Sequence, residues 1–291
     1  MAMAPLRETL SLFKRAGVAW LDDNASSMGA ALAFYSAFAM APLLLILSAV
    51  TGLVFGAAEA RQGLLEQVRD LIGPIGSVAV AHLLDQTSRA SSNVAATVIG
   101  VLLLLVGASS VMVELQQDLN RIWRARPRST SLSWWPLLRS RLAALALVLA
   151  FGFLLLLSLL VGTVLNAMIY RSPAVAGHVL LLHGVHSSAT LIVFTLLFAM
   201  LFKWLPNVRL GWGDVWRGAL VTALLFTAGQ VGIGYYLGRS TTTSAYAAAA
   251  SLLVLLLWLY YAAQIFLFGA EFVWASVERR RPLGVRMPPA S

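Results

Sequence analysis

Long apolar runs alternate along the chain with short polar or basic stretches. The runs have the length that a lipid bilayer asks for, since about 20 mostly apolar residues in helical conformation cross its hydrocarbon core. Six stretches qualify: residues 28–55, 93–113, 142–165, 187–204, 218–237 and 245–273. Ahead of the first, Leu6, Leu10, Phe13, Val18 and Leu21 alternate at helical spacing with Arg7, Lys14 and Arg15, which predicts an amphipathic helix over 5–23. Such a helix suits a membrane surface; a solvated helix against a neighbouring loop fits the same pattern. Between the first two runs, residues 59–89 carry four acids, three arginines and His82, with Gly73-Pro74 as a breaker. Two short amphipathic helices outside the membrane are expected there. The predicted fold is all-α, a polytopic membrane helical bundle of six transmembrane helices. It divides into an amphipathic N-terminal segment (1–27), the membrane domain (28–275) and a basic tail (276–291).

The last run organises the rest. Its strongly polar interior groups are Gln264 and Glu271. Tyr260, Gln264 and Glu271 share one helix face at 3.6 residues per turn. Lipid penalises charge at mid-depth by roughly a few kcal/mol, so that face should meet protein, water or a ligand. Ala247, Ala248, Ala250 and Ser251 keep the start slim for close packing. Arg279, Arg280 and Arg281 end it on a basic note. In the first run Tyr35 is polar and Pro42 predicts a kink.

Composition agrees: 59% of residues are hydrophobic and 11% charged, against about 25% charged in soluble proteins. A soluble domain is excluded. The net charge of +9 would suggest nucleic acid in a soluble protein; here loop topology accounts for it. With six spans, sixteen of the 21 basic residues fall on the side of the two termini and five on the other. That asymmetry predicts cytoplasmic termini. The absence of cysteine excludes disulfides and thiolate metal sites. The polar first 25 residues or so predict no cleavable signal peptide.

Several constellations are candidate sites, each with two readings. Tyr35, Tyr260, Gln264 and Glu271 could line a substrate path, Glu271 acting as a proton-coupling carboxylate. They could equally be structural contacts, with Glu271 paired to Arg217 or to an arginine of Arg121–Arg128. Glu114, Asp118 and Asn120, with Gln116 and Gln117, stand where the second run ends, as a cytoplasmic vestibule or as a capped, solvated helix end. Arg171 and Arg239 could meet anionic headgroups from outside. His178, His183 and His186 form a polar loop that lacks the acids and cysteines of a metal site, so no metal and no cofactor is expected. Trp123, Trp134 and Trp135 suit an interfacial belt. The basic stretch Arg121–Arg141 fits topology and lipid headgroups rather than RNA. Expected partners are membrane lipids, and a second copy of the chain is open; no nucleic acid is expected.

The runs GAALAFYSAFAMAPLLLI (Gly29–Ile46), DLNRIW (Asp118–Trp123), LFKWLPNVRLGWGDVWRGAL (Leu201–Leu220) and LLWLYYAAQIFLFGAEF (Leu256–Phe272) together resemble the YihY/BrkB family of bacterial inner-membrane proteins. Matching positions are Tyr35, Pro42, Asn120, Trp123, Pro206, Tyr246, Trp258, Gln264, Gly269 and Glu271. The resemblance implies six spans and both termini inside the cell. The family also carries the labels virulence factor and, in older use, ribonuclease BN. The residues offer no converging metal-ligand set, phosphate loop or nucleophile elbow for a nuclease. The expected function is non-enzymatic: a transporter or a handler of lipid or anionic solute. A scaffold for envelope assembly is the alternative, and a membrane-tethered ribonuclease the remote one.

Overall fold

The computed structural model describes residues 3–90, 94–125, 179–208, 210–239 and 247–280. Every element among them is helical: α1 (Met3–Asp22), α2 (Ala25–Phe55), α3 (Ala57–Ala90), α4 (Val94–Ile122), α5 (Val179–Trp204), α6 (Trp212–Arg239) and α7 (Ala247–Arg280). The helix expected over 5–23 is α1. Residues 142–165, the expected third span, lie outside the described residues, as do Arg171, His178, Trp134 and Trp135.

By length and composition, one described helical stretch is apolar enough to cross a membrane: Leu252–Arg280, in which an 18-residue window has mean hydropathy 2.1. Ala25–Met40 and Thr190–Trp204 are apolar but shorter. Pro42 does not end α2, because a proline inside a helix forfeits one backbone bond and the turns around it carry the rest. His183 and His186 were expected in a loop, but α5 begins at Val179 and takes both in.

α3 is helical through Gly73-Pro74, yet the chain doubles back within it. Arg61 Nη2 meets Asp85 Oδ1 at 2.6 Å. A straight helix would hold these positions roughly 36 Å apart. The reversal lies between them, where the breaker stands, so two arms form as the sequence suggests. Leu64, Val80 and Leu84 from the two arms bury themselves against Leu44 of α2. The hairpin also packs on α6 and α7.

The main core sits at the other end of the bundle. Phe202 of α5 stacks against Phe266 of α7, Phe198 packs on the same ring at a tilt, and Leu119, Ile122 and Trp123 of α4 join the cluster. Trp123 is therefore core, 5% exposed, and not part of an interfacial belt. Among the described residues the exposed tryptophans are Trp204, Trp212 and Trp216, flanking the α5–α6 turn. Rings that are apolar in body and polar at the edge are those that favour the headgroup level of a membrane. Lys203 lies over the Trp212 ring at 5.7 Å and also donates to the Leu210 carbonyl.

Glycines let α6 and α7 touch along a seam. A Cβ on Gly218 would strike Val273, one on Gly229 would strike Tyr261, and one on Gly269 would strike Thr222. Close backbone approach is how membrane helices gain contact when no hydrophobic force drives them together. Gly107 of α4 likewise lies against Ala39 of α2, where an added Cβ would stand 3.2 Å from the Ala39 backbone.

Candidate functional site

Both ends of the described chain gather at the end of the bundle marked by the tryptophans. Phe13 of α1 packs on Phe268 and Phe272 of α7, with ring centroids 6.0 and 5.0 Å apart. Glu8 pairs with Arg279 at 2.7 Å, and Arg280 reaches Asp214 in the first turn of α6 at 3.1 Å. The end of α4 is tied to the α5–α6 turn: Gln116 donates to the Leu205 carbonyl at 3.3 Å, and the Asn207 amide donates to Asn120 Oδ1 at 2.8 Å. Asn120, expected in a vestibule, is thus a clamp on the turn.

Two backbone positions set the local geometry. Asn24, between α1 and α2, has φ 55°, a conformation asparagine tolerates better than most residues. Its carbonyl accepts from the Ser27 and Met28 amides and so begins α2. Arg124 closes α4 at φ 48°. The Ala125 amide donates to the Asn120 carbonyl and the Arg124 amide to that of Arg121. That is a Schellman ending with arginine where glycine is usual. The arrangement brings the Arg124 guanidinium over the Trp274 ring, 5.0 Å from its centroid.

Two cavities flank the Asp22–Asn24 turn. The first, about 530 Å³, lies between the start of α2 and the end of α4, lined by Asn24, Ser27, Met28, Ala31, Glu114, Gln117, Asp118 and Arg121. The second, about 660 Å³, lies between α1 and the end of α7; Lys14, Arg15, Asp22, Asp23, Arg124, Trp274 and Glu278 are among its walls. Of the residues expected at a vestibule, Glu114, Gln117 and Asp118 come together in the first. Asp118 is 4% exposed, and its Oδ2 has no hydrogen-bond partner among the described residues. Burial, and then the neighbouring Glu114 charge, raises its carboxyl to about 7, with Arg121 pulling the other way.

The expected lining of Tyr35, Tyr260, Gln264 and Glu271 is not a common wall of either cavity. Tyr35 and Tyr260 are half-buried on α2 and α7. Gln264 donates from Nε2 to the Ala25 and Ser26 carbonyls at 3.2 and 3.3 Å, holding α7 against the first turn of α2. Glu271 is fully buried. Asp23 stands close enough to interact with it, and Asp22 and Arg124 are within electrostatic range. Both its oxygens still lack a well-formed hydrogen bond among the described residues. The nearby cation is Arg124, one of the arginines the sequence offered, and not the exposed Arg217. Three of these neighbours, Asp22, Asp23 and Arg124, line the second cavity, so Glu271 sits just behind its wall. Arg239 is the last residue of α6.

The polar turn directly before the first apolar run offers Asp22, Asp23 and Asn24 as caps for the next helix, and Asn24 takes that place. The place of Ser27 in a cavity wall and the stacking of Arg124 on Trp274 had no local signal.

The virulence factor BrkB family profile matches residues 17–290. A UPF0761 membrane protein of Alkalilimnicola ehrlichii is 33% identical over 277 residues, covering 90% of this chain and 58% of that protein. UPF0761 membrane proteins of Legionella pneumophila strain Corby (29% identical, 90% of this chain, 61% of that protein) and Ralstonia nicotianae (28%, 88% and 56%) are similar across the same extent. The chain therefore spans less than two thirds of the length of these relatives. No solved structure matches.

Proposed function

The chain belongs to the virulence factor BrkB family of bacterial membrane proteins, and from that premise we propose that it handles or translocates an amphiphilic solute of the envelope. It is an integral membrane protein. In this reading it lies in the inner membrane, crosses it six times and keeps both termini in the cytoplasm. The two cavities then face the cytoplasmic leaflet.

One observation carries the proposal: the cavity between α2 and α4 is polar and lies at the end of the bundle that carries the exposed Trp204, Trp212 and Trp216, which this reading sets at headgroup depth. A solute reaching that depth meets carboxylates, amides and one arginine before it meets the packed phenylalanine core. Glu271 has a supporting part. A carboxyl buried beside Asp23 and near Asp22, with Arg124 in electrostatic range, is costly to keep, and such groups inside membrane helices commonly serve movement of charge.

The test is reconstitution of the full chain into vesicles carrying fluorescent phospholipid in one leaflet or an anionic dye inside. Wild-type protein is expected to redistribute one of the two, and Glu271→Gln to slow it about tenfold or more. Vesicles with wild-type protein that leak no faster than empty ones would overturn the reading.

A further inference from the structure

We infer that the α2–α4 cavity receives the headgroup of a phospholipid bearing a primary ammonium beside its phosphate. The acyl chains run from it along the apolar faces of the same two helices. The inference rests on the lipid-handling reading above and narrows it to one headgroup chemistry.

The first argument is charge. Glu114 and Asp118 stand one helical turn apart on α4, and Arg121 follows three residues on, all lining one cavity. Two acceptors beside one cation match a ligand that carries an ammonium donor and an anion together. A purely anionic headgroup would meet the two carboxyl groups unfavourably. Asp118 is 96% buried and keeps Oδ2 without a hydrogen-bond partner among the described residues. A buried acceptor left unmet costs stability, which a donor from a ligand recovers. Rotation about the terminal torsion of the carboxylate can present either oxygen to the cavity. Ser27 and Asn24 on the opposite wall add neutral hydrogen-bonding groups.

The second argument is depth and direction. Gln116 and Asn120 tie the end of α4 to the turn flanked by exposed Trp204 and Trp212. The cavity therefore lies at headgroup level. From it, two apolar stripes lead toward the middle of the bundle. On α2, Ser27 and Ala31 of the cavity share a face with Phe34 and Phe38, which are 56% and 66% exposed. On α4, Gln117 of the cavity shares a face with Val113, Val106 and Leu102, all exposed. The helices run antiparallel: Met28 and Asp118 line one cavity, and Ala39 meets Gly107. That register sets Phe34 beside Val113 and Phe38 beside Val106. A polar pocket that opens along its length onto a paired apolar stripe has the form of a lipid molecule.

The experiment is native mass spectrometry of the full-length, delipidated protein titrated with phosphatidylethanolamine, phosphatidylcholine or phosphatidylglycerol of identical acyl chains. Wild-type protein is expected to retain phosphatidylethanolamine about tenfold better than phosphatidylglycerol, as suits charge-assisted hydrogen bonds. It should also retain it better than phosphatidylcholine, whose quaternary nitrogen has no N–H. Glu114→Gln with Asp118→Asn should erase the preference, and Arg121→Gln should weaken both phosphatidylethanolamine and phosphatidylglycerol. Gln117→Trp, at an exposed rim position, should block the cavity without touching the core. Equal retention of the three lipids by wild type, or an unchanged preference in both the double variant and Gln117→Trp, would overturn the inference. Failure of preference with vesicle translocation intact would sink this headgroup assignment alone. Intact preference without translocation would sink the transport reading and leave the site standing.

Discussion

The Gln264 side chain lies on Gly29, so close that a Cβ at residue 29 would occupy the place of its amide nitrogen. The hydrogen of glycine is what lets that amide reach the Ala25 and Ser26 carbonyls. Gly29→Ala should push the amide away and cost about 1–3 kcal/mol through overpacking. Gln264→Ala should cost about 1–2 kcal/mol in lost hydrogen bonds and packing. The double variant should cost less than the two together by about 1 kcal/mol or more, because the new methyl enters vacated space. Unfolding of the four proteins in detergent, read as a double-mutant cycle, checks this.

The α6–α7 seam makes a similar demand at Gly269, where Thr222 fills the space a Cβ would need. Gly269→Ala should lower stability by about 1–3 kcal/mol. Thr222→Ala introduced in the same chain should restore much of the loss, although alone it gives up contacts in a fully buried position. Thermal unfolding of the three variants beside wild type decides the point.

Asp118 should leave a mark on the pH dependence of stability. Its folded carboxyl titrates at about 7 against an ordinary 3.8. The folded state thus binds the proton more tightly than the unfolded state. The associated stability is fully present below about pH 4 and is lost as pH rises toward 7 and a little beyond. The slope is at most roughly 1.4 kcal/mol per pH unit. Asp118→Asn should flatten that part of the curve, so the gap between variant and wild type changes steadily from pH 4 to pH 8. Parallel curves would contradict it.

Arg124 offers a backbone test. Its φ of 48° suits glycine, so Arg124→Gly should be more stable than Arg124→Ala by about 1 kcal/mol. Both variants lose the stacking on Trp274, which cancels in the comparison. Denaturation midpoints of the two variants give the answer directly.

Helix positions were legible in the sequence because hydropathy and helical period are local properties. α1, the reversal near Gly73-Pro74 and the long last helix all follow from them. The grouping of Glu114 with Asp118 was legible too, since i and i+4 share a face. Partnership between distant segments was not. Nothing near Gln264 says that its amide will cap residues 25 and 26. The pattern around Trp123 reads as interface because indole rings are common there, but the buried cluster that also holds Leu119 and Phe202 takes it inside. Tyr260, Gln264 and Glu271 are joined by helical spacing, with Tyr35 set across from them. The fold gives Gln264 the first turn of α2 and Glu271 the neighbourhood of Asp23, and from residue 265 onward nearly every side of α7 is covered by protein.

The doubled-back α3 has a mechanical consequence. Its arms rest on α2, α6 and α7 at the end of the bundle away from the two cavities. Under the proposed handling of a solute it is a stopper in the neck of a flask: a molecule admitted beside Asn24 would have to retreat by the way it came or slip out sideways into the bilayer. The Arg61–Asp85 pair only ties the two arms to each other. Both side chains are nearly half open to water, and ion pairs so placed hold with about 1 kcal/mol or less, so the grip on the bundle is the packing against α2, α6 and α7.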